Sequence, residues 1–152
     1  MTTHDPRLSP LAELRANVSV PFERATAMPK SVYTSPDFAA MEQRHIFAKE
    51  WLCAGRAEAL PNPGDYLTME IGGEPIIILR DREGELCGLS NVCRHRMSTL
   101  LEGRGNVRSI VCPYHAWTYN LDGTLRGAPA MTLNEGFCKE DVKLPKVRVE
   151  NW

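Results

Sequence analysis

The sequence predicts a mainly β domain of antiparallel strands that is preceded by an N-terminal helix. From residue 55 onward, short β-rich runs follow one another with turn residues and no helical pattern between them, which favours antiparallel sheets. A helix-start pattern stands before them at Ser35-Pro36-Asp37, with an N-cap serine, proline at the first helical position and an acid in the first turn. The length of 152 residues suits one small domain.

Three segments are expected along the chain. Residues 1–33 are rich in proline and polar residues, and we expect an extended arm there. Residues 34–54 are expected to be a helical segment, because apolar residues from Phe38 to Trp51 recur at three- and four-residue steps. Residues 55–152 contain the strand-like runs and are expected to form the β domain.

Each strand is predicted from a run of residues that favour β-strands, and each connection is predicted from residues that favour turns. Asp122-Gly123 is a strong hairpin signal between two of the strands. A last strand is expected from the alternation of Val147 and Val149. The other expected strands cover residues 66–71, 75–80, 85–89, 107–111, 118–119 and 124–125.

Composition and charge exclude several classes of protein. The formal net charge is −1, so no strong field for binding nucleic acid or a membrane surface is expected. No apolar run reaches the ~18 residues of a spanning helix, and the N-terminus lacks the layout of a secretory signal. The chain has five cysteines whose spacing suggests no disulfide framework, which indicates a reducing cytoplasm.

Four residues in two short segments carry the strongest chemical signal. Cys93 and His95 form a C-x-H pair, and Cys112 and His115 form a C-x-x-H pair. A Rieske [2Fe-2S] cluster takes two thiolates on one iron and two imidazoles on the other. A structural zinc ion also accepts two cysteines and two histidines, but zinc fingers usually keep the cysteines in one pair and the histidines in the other. The mixed pairs favour the cluster, and zinc is the alternative.

The flanking residues resemble a known family. The runs NVCRHR at 91–96 and CPYHAWTY at 112–119 are similar to the two cluster loops of Rieske non-haem iron oxygenases. That family includes the large subunits of aromatic-ring-hydroxylating dioxygenases and the N-demethylating and choline-type monooxygenases. The resemblance covers about residues 33–152. It implies a Rieske-type fold of small stacked sheets with the cluster loops at the tip, and a [2Fe-2S] cluster on Cys93, His95, Cys112 and His115.

The resemblance also implies a shell around the cluster. Trp117 is expected to shield the cluster from water, which is close to the role of an ordinary core aromatic. Tyr119 either donates a hydrogen bond near the cluster or packs as a plain strand residue. Pro129, in the segment Gly127–Ala130, is expected to cover the cluster, and the alternative is an ordinary turn.

Three further residues near the first pair have open roles. Arg94 and Arg96 flank His95 and either dock an acidic electron donor or form a solvated or salt-bridged surface pair. Met97 stands where many members of the family have glycine. Because glycine permits a left-handed turn, methionine here implies either a somewhat different loop path or a subfamily.

The function implied is that of an electron-transfer domain of a ring-hydroxylating-type oxygenase. It would relay electrons from a ferredoxin or a flavin/NAD(P)H reductase to a mononuclear iron, for O2-dependent hydroxylation or demethylation, in a full-length homotrimer. Such an iron takes two histidines and a carboxylate, and no histidine follows His115. No catalytic residue is therefore expected in this chain, which is interpreted as ending before a catalytic domain. A free-standing Rieske ferredoxin is the alternative, and the helix before the strands argues against it.

Overall fold

The computed structural model describes residues 9–152, which form two compact units divided between Leu52 and Cys53. Within the described residues, no helix combines the length and the apolar character needed to cross a membrane. The first unit is helical and the second is built from strands. The helices of the first unit are α1 (Pro10–Val18), α2 (Lys30–Thr34) and α3 (Pro36–Glu42), and a π-helical turn over Gln43–Phe47 follows α3.

Helix α1 lies where the sequence predicted an extended arm, and that prediction is wrong for Pro10–Val18 and for residues 30–33, where α2 begins. Ser9 is the N-cap, and its hydroxyl accepts a hydrogen bond from the Ala12 N–H at 3.3 Å. Pro10 follows at the first helical position, where its fixed φ already fits a helix. The proline that suggested an arm therefore begins a helix. On α2, the Ser31 hydroxyl donates to the buried carboxylate of Glu13. The first eight residues of the predicted arm lie outside the described residues.

Helix α3 begins at the predicted N-cap. The Ser35 hydroxyl accepts a hydrogen bond from the Phe38 N–H at 3.3 Å, which satisfies a donor that a helix start leaves unpaired. The helix ends sooner than its apolar pattern suggested. In the residues that follow α3, the side chains of Ile46 and Trp51 are exposed. Because packing of an apolar face provides most helical stability in proteins, this exposed stripe does not support further α-helical turns.

The second unit contains two antiparallel sheets, which confirms the predicted mainly β class. The larger sheet has the strand order β4-β1-β2-β3-β8, and the smaller has the order β5-β6-β7. The strands are β1 (Asp65–Ile71), β2 (Glu74–Arg80), β3 (Leu86–Ser90), β4 (Arg104–Asn106), β5 (Ile110–Val111), β6 (Thr118–Tyr119), β7 (Leu125–Gly127) and β8 (Lys146–Val147).

The single strand predicted over 107–111 is wrong in its extent. Only Ile110–Val111 is a strand there, as β5 of the smaller sheet. The preceding β4 (Arg104–Asn106) pairs with β1 in the larger sheet. The residues between them carry the chain from one sheet to the other, so the predicted strand began three residues too early, and β4, which lies before it, was not predicted. The predicted hairpin at Asp122-Gly123 connects β6 and β7, which pair antiparallel.

Strand β2 explains how the sheet supports the rest of the domain. Its four residues Ile76–Leu79 are all buried, and alternate side chains of a strand point to opposite faces. Ile77 and Leu79 belong to the main core, which also contains Cys93 and Cys112. Ile76 and Ile78 belong to a second core that contains Leu60 and Leu67. The continuous apolar run therefore reflects a sheet that is covered on both faces, and one face supports the candidate ligands.

Candidate metal centre

Two backbone hydrogen bonds close the first candidate loop around Cys93. The Cys93 N–H donates to the Ser98 carbonyl at 2.9 Å, and the Met97 N–H donates to the Cys93 carbonyl at 3.0 Å. The turn needs a left-handed residue before Ser98, and Met97 has a φ of 54°. The loop is thus a tight turn that begins at the cysteine.

The second loop repeats the same form. The Cys112 N–H donates to the Trp117 carbonyl at 2.8 Å, and the Ala116 N–H donates to the Cys112 carbonyl at 3.0 Å. Ala116 has a φ of 57°, so it occupies the place that Met97 takes in the first loop. The histidine is two residues after the cysteine in one loop and three in the other. Both loops therefore form the same turn, and the unequal spacing means only that the histidine occupies a different position on that turn in each loop.

The altered loop path expected from Met97 is wrong. Met97 itself adopts the left-handed φ that glycine would adopt, and its side chain is 66% exposed. The side chain thus extends outward and the loop keeps the tight turn. An L-residue in this conformation costs roughly 1–2 kcal/mol relative to the right-handed form.

Replacing Met97 by glycine should increase the free energy of unfolding by about 0.5–1 kcal/mol, because the gain from removing left-handed strain exceeds the extra entropy of unfolded glycine. Urea unfolding of the Met97→Gly and Met97→Ala variants provides the measurement. Alanine removes the exposed side chain but keeps Cβ, so it should stay close to the unaltered protein. Equal stabilities for the two variants would contradict left-handed strain at this position.

The structure brings the four predicted ligands together as two buried thiols and two partly exposed imidazoles. Cys93 and Cys112 belong to the main core, and the rings of His95 and His115 are 4.9 Å apart at an angle of 64°. Among residues 9–152, no three His, Cys, Asp or Glu side chains surround one point as ligands of a single ion. A two-iron cluster needs only two protein ligands on each iron, so paired thiols and paired imidazoles are compatible with it.

Both histidines carry a buried Nδ1 atom without a hydrogen-bond partner. An unpaired buried polar atom is unfavourable by about 1–3 kcal/mol, and two of them lie in one pair of contacting rings. Burial lowers the pKa of His95, and the nearby His115 and Arg96 lower it further. A neutral imidazole with a free nitrogen is what a metal site requires. The residues present therefore fit a metal cofactor at these atoms.

The environment of Cys112 favours the thiolate. Burial by itself raises the pKa of the thiol, but hydrogen bonds from the backbone N–H groups of Tyr114 and His115, and from the side chains of Cys93 and Ser98, bring the pKa below its usual value. Hydrogen bonds to the charged form stabilise it, and the thiolate is the form that binds metal. The tight turn thus points its own amides at the sulfur that it positions.

Tyr119 is both a core residue and a hydrogen-bond partner of the first loop. Its side chain is fully buried, its hydroxyl oxygen accepts the Arg94 N–H at 3.0 Å, and the same oxygen lies 3.4 Å from Cys93 Sγ. Because the oxygen already accepts from Arg94, its own proton is available to Cys93. Burial and the neighbouring Cys93 raise the pKa of Tyr119 well above its usual value, so the hydroxyl stays a donor.

Trp117 packs directly on a candidate ligand. Its indole is stacked on the His95 ring with centroids 4.7 Å apart and planes 5° apart. The indole also contacts Phe137, with ring centroids 5.6 Å apart and planes at 58°. Pro129 is exposed, whereas its neighbours Ala128 and Met131 pack against the core that contains the cysteines. The segment therefore does approach the site, and the covering role expected of Pro129 stays a prediction.

Sequence reasoning missed Phe137 and Asn91. Phe137 had no local signal, because its partner Trp117 is far away along the chain. Asn91 is buried; its amide donates to the Leu101 carbonyl at 2.8 Å and accepts the Leu101 N–H at 2.9 Å. It thereby ties together the two ends of the segment that carries the first loop. An asparagine between a strand and a turn is common, so its burial could not be inferred.

Comparison with known proteins identifies the domain. Residues 50–144 match the family model described as the Rieske [2Fe-2S] domain. The oxygenase subunit of carnitine monooxygenase from Acinetobacter baumannii is 40% identical over 129 residues, which cover 84% of this chain and 35% of that protein. The oxygenase subunit of glycine betaine monooxygenase from Chromohalobacter salexigens is 46% identical over 100 residues, covering 65% of this chain and 22% of that protein.

Solved structures agree with the sequence relatives. The quaternary ammonium Rieske monooxygenase CntA in complex with gamma-butyrobetaine superposes with a TM-score of 0.77 at 40% identity, covering 91% of this chain and 39% of that one. The chain thus spans between about a fifth and two fifths of the length of these proteins. With matched loops, paired thiols and imidazoles, and a family match over most of its length, the chain belongs to the Rieske [2Fe-2S] domain family, as a domain of the oxygenase type.

Proposed function

We propose that this chain is the electron-transfer domain of a Rieske non-haem iron oxygenase, with Cys93 and Cys112 holding one iron of its [2Fe-2S] cluster and His95 and His115 the other. The observation that carries the proposal is the pair of buried, unpartnered Nδ1 atoms beside two buried thiols. When bound, the cluster would supply one-electron transfer through an iron with neutral imidazole ligands.

The residues around this site divide it into a protected side and an accessible side. The thiols lie in the core with Trp117 and Tyr119, which keeps water from their sulfurs. His95 and His115 are partly exposed, while their Nδ1 atoms are buried. Nε2 lies across the ring from Nδ1, so the outer imidazole edge would hold the ring proton and face an electron-transfer partner.

The full-length protein would use electrons from a ferredoxin or a flavin/NAD(P)H reductase for O2-dependent hydroxylation or demethylation. The mononuclear iron for that reaction would be held outside this chain, because it needs two histidines and a carboxylate, and the histidines other than the cluster ligands, His4 and His45, both precede the Rieske domain. The matched oxygenase subunits favour this function over a free-standing ferredoxin. Their names support a quaternary ammonium substrate. We also propose that the full-length protein is a homotrimer, because it resembles the family. We further propose a cytoplasmic location, because the spacing of the five cysteines suggests no disulfide framework.

Anaerobic reconstitution with iron and sulfide tests the cofactor site. We expect about two irons and two acid-labile sulfides per chain, and a Rieske-type paramagnetic spectrum after reduction. Stoichiometric zinc without sulfide would contradict the proposal. The loaded chain, given reductant, ferrous iron, oxygen and carnitine or glycine betaine, should be reduced and reoxidised without product. Hydroxylated or demethylated product from this chain alone would show that the oxygenating site is not elsewhere.

Replacing Tyr119 by phenylalanine should lower the reduction potential. The O–H···S hydrogen bond to Cys93 stabilises the more negative, reduced state, so its loss should shift the redox equilibrium roughly three- to tenfold, or about 28–59 mV for one electron. Spectroelectrochemical titration of the loaded protein provides the measurement. Tyr66→Phe is the matched control, because its hydroxyl bonds the Glu102 carbonyl instead. An unchanged potential in Tyr119→Phe would show that Tyr119 acts only through packing, and a shift of the same size in both variants would show that the effect is not specific to the hydrogen bond with Cys93.

A further inference from the structure

Trp117 carries a buried polar group that no other described residue satisfies. Its side chain is 5% exposed, and its indole Nε1 has no hydrogen-bond partner. An unpaired buried N–H is unfavourable by about 1–3 kcal/mol, and the great majority of buried N–H groups in proteins are paired. A donor left in this state beside a binding site indicates that its acceptor belongs to the ligand of that site.

The indole lies within the proposed site. Its ring is stacked on His95 at 4.7 Å, and the His95 ring contacts the His115 ring at 4.9 Å. Within residues 9–152, the other buried side-chain polar atoms without a partner are the Nδ1 atoms of these two histidines. The three unsatisfied atoms thus belong to one connected group of rings. One shared ligand would satisfy all of them.

The chemistry of the three atoms assigns them different roles. An indole N–H donates a hydrogen bond and cannot accept one, so Trp117 is not a further iron ligand. A [2Fe-2S] cluster presents sulfide and thiolate sulfurs, whose negative charge increases on reduction. Hydrogen bonds to these sulfurs are among the features that set the potentials of such clusters, and a donor here stabilises the reduced state more than the oxidised one.

We propose that Trp117 donates its indole N–H to a sulfur atom of the bound cluster and thereby raises the reduction potential. The inference rests on the proposed function, since it requires the cluster. It gives Trp117 a role beyond the exclusion of water, because packing on His95 needs only the aromatic ring. It also predicts that an isosteric ring without the N–H keeps the cluster but changes its potential.

The first test replaces Trp117 by 3-benzothienylalanine, in which sulfur stands in place of the N–H and the size of the ring is nearly unchanged. The loaded variant should retain its iron and sulfide, and its ratio of reduced to oxidised cluster at a fixed applied potential should fall about three- to tenfold. The same replacement at Trp152 is the control, because that side chain is 97% exposed. An unchanged potential at Trp117 with an intact cluster would overturn the inference.

A second measurement needs no substitution and stays informative if the variant loses its cluster. Protein labelled with ¹⁵N in its tryptophan indoles alone is loaded and reduced, and pulsed paramagnetic resonance is used to detect coupling between ¹⁵N and the cluster. We expect a coupling that Trp117→Phe removes and Trp152→Phe retains. Absence of the coupling in the unaltered protein would assign the N–H to water and overturn the inference. Failure of the unaltered protein to bind iron and sulfide would instead overturn the proposed function, and this inference with it.

Discussion

Iron and sulfide should be lost when Cys112 is replaced by serine. A serine hydroxyl stays protonated near neutral pH and is a poor ligand for the soft, thiolate-preferring irons of such a cluster. In the tight turn, the Tyr114 and His115 amides stabilise the negative charge of the Cys112 thiolate. A serine hydroxyl is neutral, so these amides would stabilise it much less. We expect less than about a tenth of the iron of the unaltered protein to remain after reconstitution and desalting, an order-of-magnitude loss of the kind that removal of an anionic ligand causes.

The measurement combines iron and sulfide analysis with visible absorption, and far-ultraviolet circular dichroism reports whether the sheets remain. Cys87→Ser is the matched control. Cys87 is half-buried in β3 and packs against the same core, but it lies outside both loops, so this variant should keep its full complement of iron. Retention of the cluster by Cys112→Ser, or its loss from Cys87→Ser, would contradict the assignment of the ligands.

Gly64→Ala should lower the free energy of unfolding by about 3 kcal/mol, the sum of left-handed strain and overpacking. Gly64 has a φ of +87°, and an added Cβ would lie 2.2 Å from the Val107 carbonyl oxygen. Its own N–H donates to the Arg80 carbonyl at 2.8 Å, and its carbonyl accepts the Val107 N–H at 3.0 Å. Because the clash is with backbone, no change of rotamer relieves it, and these two backbone hydrogen bonds must shift.

Gly84→Ala is a matched control for this effect. Gly84 has almost the same φ, +88°, but nothing lies within 4 Å of its added Cβ. Only left-handed strain of roughly 1–2 kcal/mol applies there. Urea unfolding of both variants, in the same cluster state, separates the strain from the close approach. Equal losses of stability would show that the clash between an added Cβ at Gly64 and the Val107 carbonyl contributes nothing to the destabilisation.

The helix starts show how far local patterns reach. The cap at Ser35 was predicted correctly, because it depends on hydrogen bonds between residues that are close in sequence. The same pattern at Ser9-Pro10 begins α1, yet the prolines around it were interpreted as signs of an arm. What separates the two outcomes is packing between distant residues, such as the contact of Glu13 with Ser31, which no local pattern contains.

The strands show the same limit. The alternation and turn residues located β1, β2, β3 and the hairpin of β6 and β7, because each depends on neighbours in the chain. They missed β4 and placed the start of β5 too early, since the extent of each of these strands depends on pairing with residues elsewhere. β4 pairs with β1, and β5 pairs with β6.

The candidate site divides in the same way. The residue types and spacing of the two C/H pairs already indicate the cofactor, because ligand chemistry is a property of the side chains themselves. The tertiary structure alone decides the rest: the common turn of the two loops, the Tyr119 hydroxyl shared between Arg94 and Cys93, and the unpartnered nitrogens of His95, His115 and Trp117. Each of these depends on which groups meet across the sheets and which polar atoms the packing leaves without a partner, and burial is set by the whole fold rather than by any local run of residues.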